Sequence, residues 1–139
     1  MTPHILLRST SLLSLLHAVL NTFAGLLSGT SGNQEEVAVL TAMKTLQFDA
    51  MGSLRTYWDF YFGFGLFLTV NLLLASGLLW QLASLAKAEP AMARPFIASF
   101  CIAFAAFAVL SGLYFLIAPL ILEILIAVIL GLAYAHARR

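Results

Sequence analysis

The sequence predicts an all-α integral membrane domain, a four-helix bundle with a short amphipathic helix between the first two spans. Three observations carry this prediction. Hydrophobic residues make up 62% of the 139 positions and charged residues only 9%. The mean hydropathy is +0.99. Four apolar runs, 6–28, 57–86, 96–117 and 119–137, each meet or exceed the roughly 20 residues that cross ~30 Å of hydrocarbon. Backbone groups in lipid must be satisfied within their own segment, so each run reads as a helix. The runs leave no room for a separate soluble module, and 1–139 reads as a single transmembrane domain.

The first run carries Arg8 near its start and ends among small residues at Ser28 to Ser31, the outline of a secretory signal. Its length, and the presence of His17 and Asn21, argue instead for a retained helix. After it, Asn33 followed by Glu36 resembles a capping box, and Val37, Leu40, Met43 and Leu46 recur at i+3 spacing. That pattern predicts an amphipathic helix over 34–47, too polar to span, lying on the membrane surface or over the bundle mouth as a packing element or a lid. Gly52 and Ser53 break the pattern before the second span.

The second run opens on the densest aromatic stretch, Tyr57 to Leu66. It reads either as an interfacial belt or, because Gly63 and Gly65 open space beside the rings, as a seat for a flat lipophilic ligand. Gly63-Phe64-Gly65 is no dinucleotide fingerprint, since no strand precedes it in this reading. Pro90 and Pro95 in the next connection predict a stop and a fresh start, with the third span beginning at Phe96. The turn from Leu116 to Pro119 is short enough to force the third and fourth spans into an antiparallel hairpin.

Orientation follows from the basic residues. Arg8, Lys87, Arg94, Arg138 and Arg139 lie at the termini and in the second connection, whereas Lys44 and Arg55 share the first connection with Glu35, Glu36, Asp49 and Asp59. The bias toward basic residues in segments that stay inside places both termini in the cytoplasm. A formal net charge of +1 and the lack of a basic run give no indication of nucleic-acid binding. The single cysteine, Cys101, allows neither an internal disulfide nor a multi-cysteine metal site.

Helical spacing assigns faces. Thr10, Ser14, His17, Asn21, Gly25 and Ser28 form one stripe, and Asp59, Gly63, Phe67, Asn71, Leu74, Gly77 and Gln81 a second. Glu123, Ala127, Gly131 and Ala135 form a third. Small residues let helices approach, so the stripes are expected to face the interior and to gather their polar groups in the outer half of the bundle. The expected ligand-binding residues are therefore His17, Asn21, Asp59, Asn71, Tyr114 and Glu123, with Trp58 and Tyr61 of the aromatic mouth; Ser111, near the outer end of the third span, is placed where it could join them. Each has a plainer reading. His17 and Asn21 suit an interhelical hydrogen-bond clamp, Asp59 suits an i+4 pair with Arg55, and the aromatics suit a belt. Glu123 is hardest to dismiss, because the opposing spans offer it no basic partner at its depth.

The stretch Phe48-Asp49-Ala50-Met51-Gly52-Ser53-Leu54-Arg55-Thr56-Tyr57-Trp58-Asp59-Phe60-Tyr61-Phe62-Gly63-Phe64-Gly65 resembles one in a family of small bacterial four-helix membrane proteins without an established activity. In length and layout the whole chain is also similar to DoxX-like membrane proteins. The resemblance implies a bacterial inner membrane and supplies no catalytic residue. Function is then expected to be binding of a lipid or quinone-like molecule, or service as an accessory subunit of a membrane complex or homo-oligomer. The alternatives are an isomerase or reductase using Glu123 and His17 as acid and base, and a small oligomeric transporter. No cofactor is expected: zinc would need three ligands from His17, Glu123 and Asp59, and His4 and His136 sit at the opposite end from His17. A His4 and His136 pair at that end stays open.

Overall fold

The computed structural model describes residues 2–28 and 32–137. Part of the charge reading, Arg138 and Arg139, and the small residues Gly29, Thr30 and Ser31 lie outside the described residues. The first helix, α1 (Pro3–Leu20), continues into a π-helical stretch, Asn21–Leu26, with the Leu27 N–H donating to the Thr22 carbonyl at 3.0 Å. The amphipathic segment forms α2 (Gln34–Thr45), capped by Asn33, whose side chain accepts from the Glu35 N–H at 3.1 Å.

The next element was not legible in the sequence. Gln47–Ala50 (β1) and Ser53–Thr56 (β2) pair antiparallel, with Ala50 opposite Ser53 and Gln47 opposite Thr56. Met51 and Gly52 turn the chain with φ of 54° and 87°, both in the left-handed region that a two-residue type I′ hairpin requires. The Asp49 carboxylate accepts from the Gly52 N–H at 2.6 Å and holds the turn.

Helix α3 (Tyr57–Ala88) starts directly from β2. Thr56 and Asp59 form a reciprocal cap: the Asp59 carboxylate accepts from the Thr56 N–H at 2.8 Å, and the Thr56 hydroxyl accepts from the Asp59 N–H at 3.1 Å. Only Glu89 separates α3 from α4 (Pro90–Tyr114), so the expected nine-residue connector is largely helical. Pro90 fits the first turn, where an N–H is unneeded, but Pro95 lies inside the helix and forfeits one backbone bond there. The last helix is α5 (Ile117–His136). Among the described residues four helices are long and apolar enough to cross a membrane: Pro3–Leu26, Tyr57–Ala88, Pro90–Tyr114 and Ile117–His136. At 32 residues α3 is ~48 Å long, more than a hydrocarbon core needs.

The chain divides into two compact units. One comprises the N-terminal part of α1 up to His17 together with Leu72 onward; the other is Ala18–Asn71. In the first unit α4 packs along α5, and Ile97, Phe104 and Ala108 of the one helix and Ile126, Leu130 and Ala133 of the other are buried. The Cys101 thiol points at the Ala127 carbonyl, 3.4 Å away, as a weak donor between these helices. The Ser11 hydroxyl donates to the Ser76 carbonyl at 2.8 Å, the Ser76 hydroxyl donates back to the Ser11 carbonyl at 2.9 Å, and Ser14 donates to the Leu72 carbonyl at 2.8 Å. Small side chains at these positions let two helices come close enough for side chain to reach backbone.

In the second unit the Asn21 amide donates to the Gly65 carbonyl and the Thr69 hydroxyl, both at 2.9 Å, and the Thr22 and Thr69 hydroxyls meet at 2.9 Å. Leu26 is packed against Gly65, where any Cβ would overlap the leucine side chain. Phe48 of the hairpin stacks on Tyr57 and Phe60, with ring centroids 4.8 and 5.6 Å apart, and the Lys44 ammonium sits 4.4 Å over the Trp58 ring.

The face expected to be interior on α3 is a correction. Asp59, Phe67, Asn71, Leu74, Gly77 and Gln81 are exposed, and the buried residues of this helix are Leu72, Leu79, Leu82, Ala83 and Ala86. On α1 the expected stripe does point inward from Thr10 to His17, with Leu7 and Ser11 added to it.

Candidate functional site

Two expected site residues meet in the first unit. His17, three residues from the end of α1, and Glu123, in the second turn of α5, are each only 3% exposed. The His17 Nε2 lies 4.0 Å from the Glu123 Oε1, a close ionisable pair just beyond hydrogen-bond reach. His17 Nδ1 and Glu123 Oε2 are buried with no hydrogen-bond partner among the described residues. Ser111 of α4 is also buried. Unpartnered polar atoms of this kind are costly, and a pair retained despite that cost is a candidate for function. Closing the gap by about 1 Å would create a hydrogen bond along which a proton can move.

Asn21 does not join that pair. It is the clamp of the second unit, its side-chain N–H groups donating to Gly65 and Thr69, and the π-helical stretch that starts at this residue places Thr22 beside it. Asp59 caps α3 as described and is exposed. Asn71 donates to the Phe67 carbonyl of its own helix at 2.8 Å, so its polarity is satisfied locally. Tyr114 is 75% exposed at the end of α4. Trp58 and Tyr61 stack with centroids 5.4 Å apart, and Tyr61 is exposed.

A second site lies wholly in the Ala18–Asn71 unit. Arg55, Asp59, Phe60, Gly63, Phe64 and Phe67 line an open recess of about 240 Å³. Its two ends differ chemically. At the helix start stand the Arg55 guanidinium and the Asp59 carboxylate. One to two turns further on stand Phe60, Phe64 and Phe67, with Phe64 and Phe67 about 70% exposed. Arg55 donates from Nη1 to its neighbour's carbonyl, Leu54, at 3.0 Å. A guanidinium has five donors, so most of its capacity is available to a ligand. Only one of the two glycines opens this space. A Cβ on Gly63 would meet nothing within 4 Å, whereas Gly65 is filled by Leu26.

Among the described residues no three His, Cys, Asp or Glu side chains gather closely enough to hold a metal ion. Compared with known proteins, the chain matches no family model, no curated protein and no solved structure.

Proposed function

We propose that this is an integral membrane protein that seats an amphipathic lipophile, a lipid or quinone-like molecule, in the recess along the start of α3. One observation carries the reading: a charged end, Arg55 with Asp59, and a phenyl-lined end follow one another along the first turns of a helix long enough to enter a bilayer. A ligand with a polar head and an apolar body matches that order, with its head at Arg55, at headgroup depth, and its body beside Gly63 and Phe64. In this reading the hairpin and α2 face the side opposite the basic helix ends, both termini are cytoplasmic, and the membrane is a bacterial inner membrane.

The test is lipid extraction and mass spectrometry on gently solubilised protein. Wild type is expected to carry a stoichiometric lipophile that Arg55→Gln and Gly63→Leu lose while remaining folded. Empty wild type that ignores added lipids and quinones would end the proposal.

A second reading, acid and base chemistry at His17 and Glu123, is favoured by their unpartnered Nδ1 and Oε2 atoms. It predicts that Glu123→Gln abolishes turnover of a bound lipophile without releasing it.

A further inference from the structure

A second open cleft lies in the other unit, between α1 and the later part of α3. Ser11, Leu12, Leu15, Ser76, Gly77, Trp80 and Gln81 line about 460 Å³. The reciprocal Ser11 and Ser76 hydrogen bonds fix its floor, because they draw the two helices together at their small residues. Gly77 keeps it open, since a Cβ there would meet nothing within 4 Å. The Arg8 guanidinium lies 4.9 Å over the Trp80 ring, at the cleft's end nearest the α1 N-terminus. The cleft's α1 wall runs from Ser11 to Leu15, ~6 Å, and Arg8 stands about one turn beyond it.

Arg8 is exposed and puts a positive charge at this end of the cleft. A guanidinium beside a channel walled by leucine, serine and glycine complements a phosphate head and an acyl chain.

We infer that this cleft is a binding site for an anionic phospholipid, with its phosphate at Arg8 and Gln81 and one acyl chain along Leu12, Gly77 and Leu15. The inference rests on the membrane reading above but concerns a different site.

The experiment is native mass spectrometry of the full chain released from nanodiscs of equimolar phosphatidylglycerol and phosphatidylcholine. Wild type is expected to retain phosphatidylglycerol preferentially. Arg8→Gln should lower that retention about fivefold, the order expected for one basic residue at a lipid surface. Gly77→Leu should remove the retained lipid by filling the cleft. Equal retention of the two lipids, or retention unchanged in Arg8→Gln, would overturn the site. Arg8→Gln changes an exposed residue, so it remains decisive should Gly77→Leu fail to fold. A chain that does not enter nanodiscs at all would instead overturn the membrane reading on which both sites depend.

Discussion

His17 Nε2 stands 4.0 Å from Glu123 Oε1, with both side chains buried and with His17 Nδ1 and Glu123 Oε2 left without hydrogen-bond partners among the described residues. The two residues should therefore be energetically coupled. In a double-mutant cycle of His17→Phe and Glu123→Leu, detergent unfolding should give a coupling of about 0.5–2 kcal/mol. Strict additivity would mean that the two groups do not interact.

The two glycines of the aromatic stretch should respond in opposite ways. Gly65→Ala must displace Leu26 and is expected to cost about 1–3 kcal/mol, as overpacking does. Gly63→Ala should stay within about 0.5 kcal/mol. The Gly65→Ala loss should be partly restored by Leu26→Ala, and equal effects at the two glycines would contradict the packing described.

Asn21 and Thr69 should behave as a structural clamp. Thr69→Ala should lower stability by about 0.6–2 kcal/mol and speed amide exchange in Asn21–Leu26, without changing lipophile retention. Loss of the lipophile with stability intact would make the clamp part of the binding site.

Met51 occupies a left-handed position that costs a non-glycine residue roughly 1 kcal/mol. Met51→Asn, which suits the first position of a type I′ turn, should slow amide exchange across Gln47–Thr56. Faster exchange would rule out that turn.

These residues also explain what the sequence made legible. The inward face of α1 could be read because Thr10, Ser14 and His17 interrupt leucine at helical spacing. On α3 the same reasoning failed. Apolar residues surround that helix, so periodicity does not choose a face, and its polar residues are satisfied locally, Asn71 by Phe67 and Asp59 by Thr56. The capping spacing from Thr56 to Asp59 is present in the sequence, but it competes there with Asp59 as a site residue and as an i+4 partner of Arg55. The hairpin went unseen because its turn is Met51-Gly52 in place of the usual Asn-Gly. The meeting of His17 with Glu123 depends on tertiary packing. Sequence spacing named both residues but could not supply the distance.

The most direct measurement is photolabelling in membranes with a diazirine-bearing fatty acid, followed by peptide mapping of wild type and Gly63→Leu. Label is expected to concentrate on Phe60, Phe64 and Phe67 in wild type and to be lost in the variant. Label spread evenly over the apolar helices, and indifferent to Gly63→Leu, would contradict binding in the recess.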